Sequence, residues 1–296
     1  MTYISKKFDI DQKYILYPGN CFQLLKKIPD NFIDLTITSP PYFMGKEYDT
    51  SFDIEDFMQA HDAILPEIIR ITKKGGSICW QVGYHVRKGA VIPLDFLVHD
   101  IMKNFAEIYL RNRIVWTYGH GLHAKKRFSG RHETILWYTK GRDYYFNLDG
   151  VRVPQKYPGK RYYKGSKKGE FSGNPLGKNP SDLWEIPNVK ANHPEKTEHP
   201  CQFPVALVQR IVKALSPQGG WILDPYIGAG TTGIAAILEK RKLVGAEINR
   251  SYYKIAHNRC SQALKNEIQY RPIDKPIFQP NPSQSVAIKP TNFKWY

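Results

Sequence analysis

A chain of 296 residues with 42% hydrophobic content can bury one large α/β domain carrying an insertion, or two modest domains. Its apolar runs are too short to cross a bilayer, and its opening, MTYISKKFDIDQKY, lacks the apolar stretch of a signal peptide, so a soluble, cytoplasmic protein is expected. Forty-three Lys and Arg against 27 Asp and Glu give a net charge of +16, the sign suited to a polyanionic partner, while four scattered cysteines (Cys21, Cys79, Cys201, Cys260) at no metal-ligand spacing argue against zinc.

Strand-like and helix-like segments then alternate, which predicts an α/β protein with a mostly parallel sheet covered by helices. KYILYPGN (13–20) reads as a strand leaving through Pro18-Gly19, and IDLTITSPPY (33–42) as a second strand. Two consecutive prolines cannot donate to a sheet, so that strand ends abruptly. A helix is expected from about Asp53, its N-cap, with Ile54, Phe57, Met58, Leu65, Ile68 and Ile69 on one face. KKGG (73–76) reads as its glycine-capped end, and Pro66 as a kink or an earlier break. SICWQVG (77–83) is the next strand, PLDFLVHDIMKNF (93–105) a helix, and RIVWTYG with ETILWYTKG an antiparallel strand pair.

From Arg152 to Lys178 the composition changes: eight Lys and Arg, one acid (Glu170), and Tyr157, Tyr162, Tyr163 and Phe171 interleaved with Gly and Pro. So many aromatics do not suit a plain disordered linker; a loop region that orders on binding, tracks phosphates and stacks near bases fits better. Regular pattern returns with the amphipathic helix FPVALVQRIVKAL (203–215), a strand, Gly-rich turn, helix and strand over 219–248, and a last helix at 251–265. Beyond Arg271 the chain is Pro-rich and aperiodic, a tail lying over the surface or mobile. The expected organisation is 1–149 and 191–270 as two halves of one domain, 150–190 as a basic Tyr-rich region, and 271–296 as the tail.

DPYIGAGTTG places Gly228, Gly230 and Gly233 directly after a strand and at the opening of a helix, a pattern that lets backbone approach a ligand. Glu247 closes the following strand, where a carboxylate can take both hydroxyls of a ribose. Alone, this supports a nicotinamide-binding fold equally well. Asp224, Pro225 and Tyr226 before the glycines, Thr231 and Thr232 after them, and the position late in the chain bend the reading elsewhere.

DPYIGAGTT followed by GAEINRSYYKIA resembles the S-adenosylmethionine-binding motif of amino-methylating DNA methyltransferases. ITSPPY resembles the catalytic motif of the same family, in the form most often attached to cytosine-N4 methylation; adenine enzymes of this type more often carry Asp in place of Ser39. GNCFQLLKKIPDNFIDLTITSPPY, HETILWYTKGRDYYF and HPCQFPVALVQRIV resemble the lead-in and intermediate blocks, so the likeness covers nearly all of 13–265. The catalytic block precedes the cofactor block, as in the family's permuted β group. The resemblance implies a circularly permuted, Rossmann-like S-adenosyl-L-methionine-dependent methyltransferase fold: a mixed, mostly parallel sheet, helices on both faces and a basic recognition insertion. It also implies cofactor contacts at Asn20 and Cys21, Asp224, Pro225, Tyr226, Gly228, Gly230, Thr231, Thr232 and Glu247, with His199 and Gln202 beside the methionine end. Asn20 stands where the family usually has Asp and Tyr226 where it has Phe; an Asn carbonyl still accepts a hydrogen bond.

The chemistry explains the double proline. An exocyclic amine is a poor nucleophile because its lone pair is delocalised into the ring. Acceptors on both amine hydrogens favour pyramidalisation, and Ser39 Oγ with the Pro40 carbonyl, stiffened by Pro41, are such acceptors, while Tyr42 stacks on the base. A duplex base must be extruded to reach them. Double-stranded DNA is thus the expected partner, with Lys160, Arg161, Lys164, Lys167 and Lys168 on its phosphates. A companion restriction endonuclease is expected beside it, and the chain acts as a monomer or homodimer. Adenine-N6 transfer is the nearest rival. An NAD-dependent dehydrogenase leaves TSPPY and the charge unexplained, and a non-catalytic nucleic-acid-binding protein explains the charge alone. Pro200-Cys201-Gln202 matches the PCQ of cytosine-C5 enzymes, but it precedes the Gly-rich motif and has no ENV partner, so Cys201 is expected to be a packed loop thiol.

Overall fold

The computed structural model describes residues 11–41, 53–119, 121, 123–279, 281, 283–284 and 288. Its strands are β1 (Tyr14–Pro18), β2 (Ile33–Thr38), β3 (Thr72–Val82), β4 (Tyr84–Arg87), β5 (Ala90–Pro93), β6 (Ile108–Thr117), β7 (His132–Lys140), β8 (Leu183–Glu185), β9 (Trp221–Asp224) and β10 (Lys242–Glu247). The helices are α1 (Cys21–Leu25), α2 (Ile54–Ile71), α3 (Leu94–Met102), α4 (Val205–Leu215), α5 (Thr231–Leu238) and α6 (Arg250–Leu264).

Eight strands form one sheet in the order β1-β10-β9-β2-β3-β7-β6-β8. β1 to β3 run parallel through β10, β9 and β2, and β7 pairs antiparallel with both β3 and β6. One face is covered by α1, α2 and α3, whose Leu24, Phe57, Leu65 and Val98 pack with Trp80, Tyr138 and Val244. The other is covered by α4, α5 and α6, whose Leu207, Ile211, Ile234 and Cys260 pack with Ile37, Cys79 and Trp137. This is the expected mixed, mostly parallel sheet with helices on both faces, in permuted order: β2 lies early in the chain and β9 late, yet they are neighbours.

Several local expectations change. Asp53 caps α2 as expected, its Oδ1 accepting from Glu55 N at 2.7 Å. The helix runs through Pro66 without a break, because Pro66 and Asp62, whose carbonyl loses its helical donor, both face solvent. KKGG does not cap it: α2 stops at Ile71, Thr72 is already extended, and the glycines lie inside β3. There Ile33 pairs with Thr72 and Leu35 with Ser77, so β3 spends extra residues in a bulge that Gly75, at φ +78°, permits. A hairpin of β4 and β5, turned by Lys88 and Gly89 at φ +50° and +85°, escaped the sequence reading, as did the short α1. No helix among the described residues is long and apolar enough to cross a membrane.

Candidate active site

The site begins where β2 and β9 end side by side, with Thr36 opposite Leu223. Further along, Thr38 Oγ1 donates to Asp224 Oδ1 at 2.6 Å, joining positions 186 apart in sequence. Thr232 Oγ1, from the first turn of α5, donates to Asp224 Oδ2 at 2.6 Å, and Tyr226 N donates to Oδ1 at 3.1 Å. Asp224 is 1% exposed and Thr232 fully buried. Burial pushes the Asp224 carboxyl up to about 6, against the pull of its three donors. Both residues were expected at the cofactor itself. The structure instead sets them below the ligand-facing surface, locking the catalytic strand to the Gly-rich turn.

Above that lock opens a cavity of about 440 Å³. The end of β2 contributes Ser39, Pro40 and Pro41, and the β9–α5 turn contributes Pro225, Tyr226, Gly228 and Thr231. Asn20 and Cys21 border it from the β1–α1 corner, Glu247 from the end of β10, and His199 and Gln202 from the segment before α4. Tyr42 lies outside the described residues.

Each wall residue is held by its own contacts. Asn20 caps α1, Oδ1 accepting from Phe22 N at 2.9 Å, and retains a second lone pair. Cys21 and Tyr226 meet through their side chains, and burial raises the pKa of both. Glu247 Oε2 accepts from Gly228 N at 3.0 Å and Oε1 from Asn249 N at 2.8 Å. Burial raises this carboxyl too, and each of its oxygens still has a lone pair to offer. Gln202 Oε1 accepts from Thr197 N and Oγ1 at 2.8 and 2.9 Å, while its Nε2 donates to Glu195 O at 3.2 Å; loop organisation occupies most of its capacity.

The three glycines divide their work. Gly228, at φ +51°, faces the cavity, and a Cβ there would come within 2.8 Å of His199 Nε2. A Cβ on Gly230 would sit 2.8 Å from Ala256 Cα, and one on Gly233 would strike Cys260 Sγ at 2.5 Å, so these two let α5 pack against α6. The His199 ring meets Tyr252 edge-on at 4.5 Å, and its Nδ1 accepts from Cys201 N at 3.2 Å. Cys201, expected as a packed thiol, is instead exposed and borders the cavity, in a segment without regular secondary structure that leaves its side chain uncovered.

His61 was missed. It borders the same cavity from α2, is 2% exposed, and its Nδ1 lies 2.7 Å from Phe57 O, which makes Nδ1 the protonated nitrogen. Nε2 is buried with no hydrogen-bond partner among the described residues, and burial pushes the imidazole down to about 4. The signal existed: His61 falls four residues after Phe57 and four before Leu65, on the stripe that marks the buried face.

Lys160, Arg161, Lys164, Lys167 and Lys168 are all exposed and do not border this cavity; they lie in the segment leading to the edge strand β8. That segment, expected to order only on binding, is here a small hairpin. Tyr162 N donates to Glu170 O at 2.9 Å, Gly169 N to Tyr162 O at 3.0 Å, and Arg161 lies 4.0 Å over the Phe171 ring.

A mixed, mostly parallel sheet whose Gly-rich turn, strand-closing acid and proline-stiffened neighbour share one cavity is the architecture of Rossmann-like methyltransferases, in the permuted order. The sequence profile of the N6/N4 DNA methylase family matches residues 33–258, and the chain belongs to that family. Among its relatives, the type II methyltransferase M.BglII of Bacillus subtilis is 47% identical over 257 residues, spanning 86% of this chain and 71% of the relative. The DNA adenine methyltransferase YhdJ of Escherichia coli K12 is 34% identical over 87% of this chain and 85% of its own. Among solved structures, the PvuII DNA methyltransferase (cytosine-N4-specific) superposes with a TM-score of 0.67 over 88% of this chain and 94% of that one; at 19% identity this is likeness of fold. TTHA0409 of Thermus thermophilus, solved with S-adenosyl-L-methionine, gives 0.61 at 25% identity over 85% and 94%.

Proposed function

We propose that the chain is a site-specific DNA methyltransferase that transfers a methyl group from S-adenosylmethionine to the exocyclic N4 of an extruded cytosine, within a restriction-modification system. The observation that carries this reading is the single cavity bordered by Ser39, Pro40 and Pro41 on one side and by Gly228 and Glu247 on the other. The cavity fits the cofactor: Glu247 keeps lone pairs for a ribose diol, Gly228 leaves backbone uncovered, and Phe22, Tyr226 and Ile248 offer apolar wall to a purine. When bound, S-adenosylmethionine supplies a methyl activated by its sulfonium. Asn20, Cys21, Pro225 and Thr231 complete the cofactor side, with His199 and Gln202 toward the methionine end.

The protein's part is positioning. Ser39 Oγ and the Pro40 carbonyl accept the two amine hydrogens, which turns the nitrogen lone pair out of conjugation and toward the methyl. Pro40-Pro41 holds both acceptors in place, and Thr38, tied to Asp224, fixes the strand end that carries them. Tyr42 stacks on the base. Lys160, Arg161, Lys164, Lys167 and Lys168 meet the phosphates of double-stranded DNA, and a companion endonuclease cuts the same site when it is unmodified.

Ser39, where adenine enzymes of this family more often carry Asp, favours cytosine. The 34% identity to a DNA adenine methyltransferase supports the second reading, N6 transfer to adenine. Sequencing with direct modification calls on DNA from cells expressing the protein, followed by nucleoside digestion, tests both. N4-methylcytosine at one repeated site is expected, and absent from cells expressing Ser39→Ala. N6-methyladenine alone would move the assignment to adenine, and unmodified DNA would overturn it.

A further inference from the structure

Between β6 and β7 the chain runs YGHGLHAKKRFSGR (118–131), with Lys125, Lys126, Arg127 and Arg131 and no acid. Phe128 is 100% exposed. One exposed apolar side chain needs no explanation by itself. This one sits on a built turn. Ala124 N donates to Ser129 Oγ at 3.0 Å, closing a tight apex of Lys125, Lys126, Arg127 and Phe128. The base of the loop is tied by Tyr118 N to Arg131 O at 3.2 Å and by Thr117 Oγ1 to the same oxygen at 2.9 Å. Arg127 lies 5.9 Å from the Tyr84 ring of β4, and Tyr84 OH packs against Gly130, where only a missing Cβ leaves it room.

The topology fixes which end of the sheet the loop occupies. Thr38 pairs with Trp80, Val82 with Thr134, and Thr117 with His132, so the loop leaves the sheet at the same end as Ser39. β7 and β6 lie two and three strands from β2, about 10–14 Å at the usual strand spacing, whereas β8 is about 19 Å away. The exposed aromatics of the basic hairpin, Tyr163 among them, precede β8 in the chain and lie outside the sheet.

Building on the base-extrusion reading above, we propose that Phe128 is a wedge that enters the DNA stack beside the extruded base, with Lys125 and Lys126 on the flanking phosphates. A fully exposed ring adds no burial to the folded protein, yet inserted between base steps it buries both faces. Proteins that unstack DNA use apolar side chains in this way, and the cations that immediately precede Phe128 suit the phosphate backbone. The apex is already closed by the Ala124–Ser129 hydrogen bond, so part of its ordering is in place before contact.

The test uses the full chain and a duplex carrying the site mapped by modification sequencing, in paired form and with the target base mispaired. A mispaired base is cheaper to extrude. Phe128→Ala is expected to slow single-turnover methylation at least about tenfold on the paired duplex and less than about threefold on the mispaired one. Its melting temperature and cofactor affinity should match wild type, and Phe128→Trp should restore the paired rate. Phe128→Ala that equals wild type on the paired duplex, or that is equally slow on both, overturns the wedge. Wild-type protein that methylates neither duplex overturns the function reading, and the wedge with it.

Discussion

Two buried groups in the site titrate in opposite senses, and together they make a sharp prediction. Burial raises the Asp224 carboxyl to about 6, so the folded protein holds a proton there that the unfolded chain has released. Its stabilising contribution is complete below the ordinary carboxylate range and is lost as pH rises through about 6. Burial lowers His61 to about 4, so the unfolded chain takes a proton that the folded protein refuses. Its contribution is present above the ordinary histidine range and is lost as pH falls toward about 4. Each departure is about two pH units, which corresponds to about 3 kcal/mol. Between about pH 6.5 and 4 the two slopes nearly cancel in the wild type. Asp224→Asn keeps the shape and an acceptor for Thr38 or Thr232, and exposes the His61 slope. Relative to wild type it should lose about 3 kcal/mol on acidification across that range. His61→Phe fills the same space beside Phe57 and Trp80 and exposes the Asp224 slope, gaining about 3 kcal/mol over the same interval. Urea unfolding at half-unit pH steps reads both differences, and comparison with wild type removes the titration of all other groups. If both variants run parallel to wild type, the two groups are not buried as described and the lock beneath the cavity is wrongly drawn.

Ser39→Ala should lower single-turnover methylation about a hundredfold, as loss of one preorganised hydrogen-bonding group does, with the cofactor dissociation constant unchanged by calorimetry; a collapse in cofactor affinity would relocate Ser39 to the wrong side of the cavity. Glu247→Gln replaces an acceptor of the Gly228 and Asn249 amides and should weaken cofactor binding by about 2 kcal/mol, or roughly thirtyfold, in the same titration. An unchanged constant would count against the carboxylate as the diol partner. Reversing Lys160, Arg161, Lys167 and Lys168 to Glu should lower DNA affinity and flatten its dependence on salt concentration, measured by fluorescence anisotropy. A full wild-type salt slope would shift DNA contact to other cations.

Much of the site can be read locally because its signals are backbone constraints. Pro40-Pro41 ends a strand wherever that strand lies, and Gly228 followed by Gly230 turns a strand into a helix. The alternation of apolar segments predicts parallel strands with helices between them, and Asp53 announces its helix by its own cap. Local signals also misled. KKGG looks alike as a helix cap and as a β-bulge, and only the pairing of Ile33 with Thr72 and Leu35 with Ser77 decides for the bulge. Asp224 and Glu247 both end strands as acids, and nothing nearby in sequence tells which is exposed to a ligand.

Sequence alone therefore determined the main strand and helix segments of the domain, and that a Gly-rich turn and a proline-stiffened strand end exist in one basic chain, because φ restrictions, side-chain period and charge are carried by neighbouring residues; the β4–β5 hairpin and the short β8 carry no such local mark. Tertiary structure decided that β2 and β9 adjoin, that Asp224 is an internal tie while Glu247 faces the cavity, that His61 joins its wall, and that Phe128 stands at the same end of the sheet. Those facts depend on the order of strands and the side each presents, which long-range pairing sets.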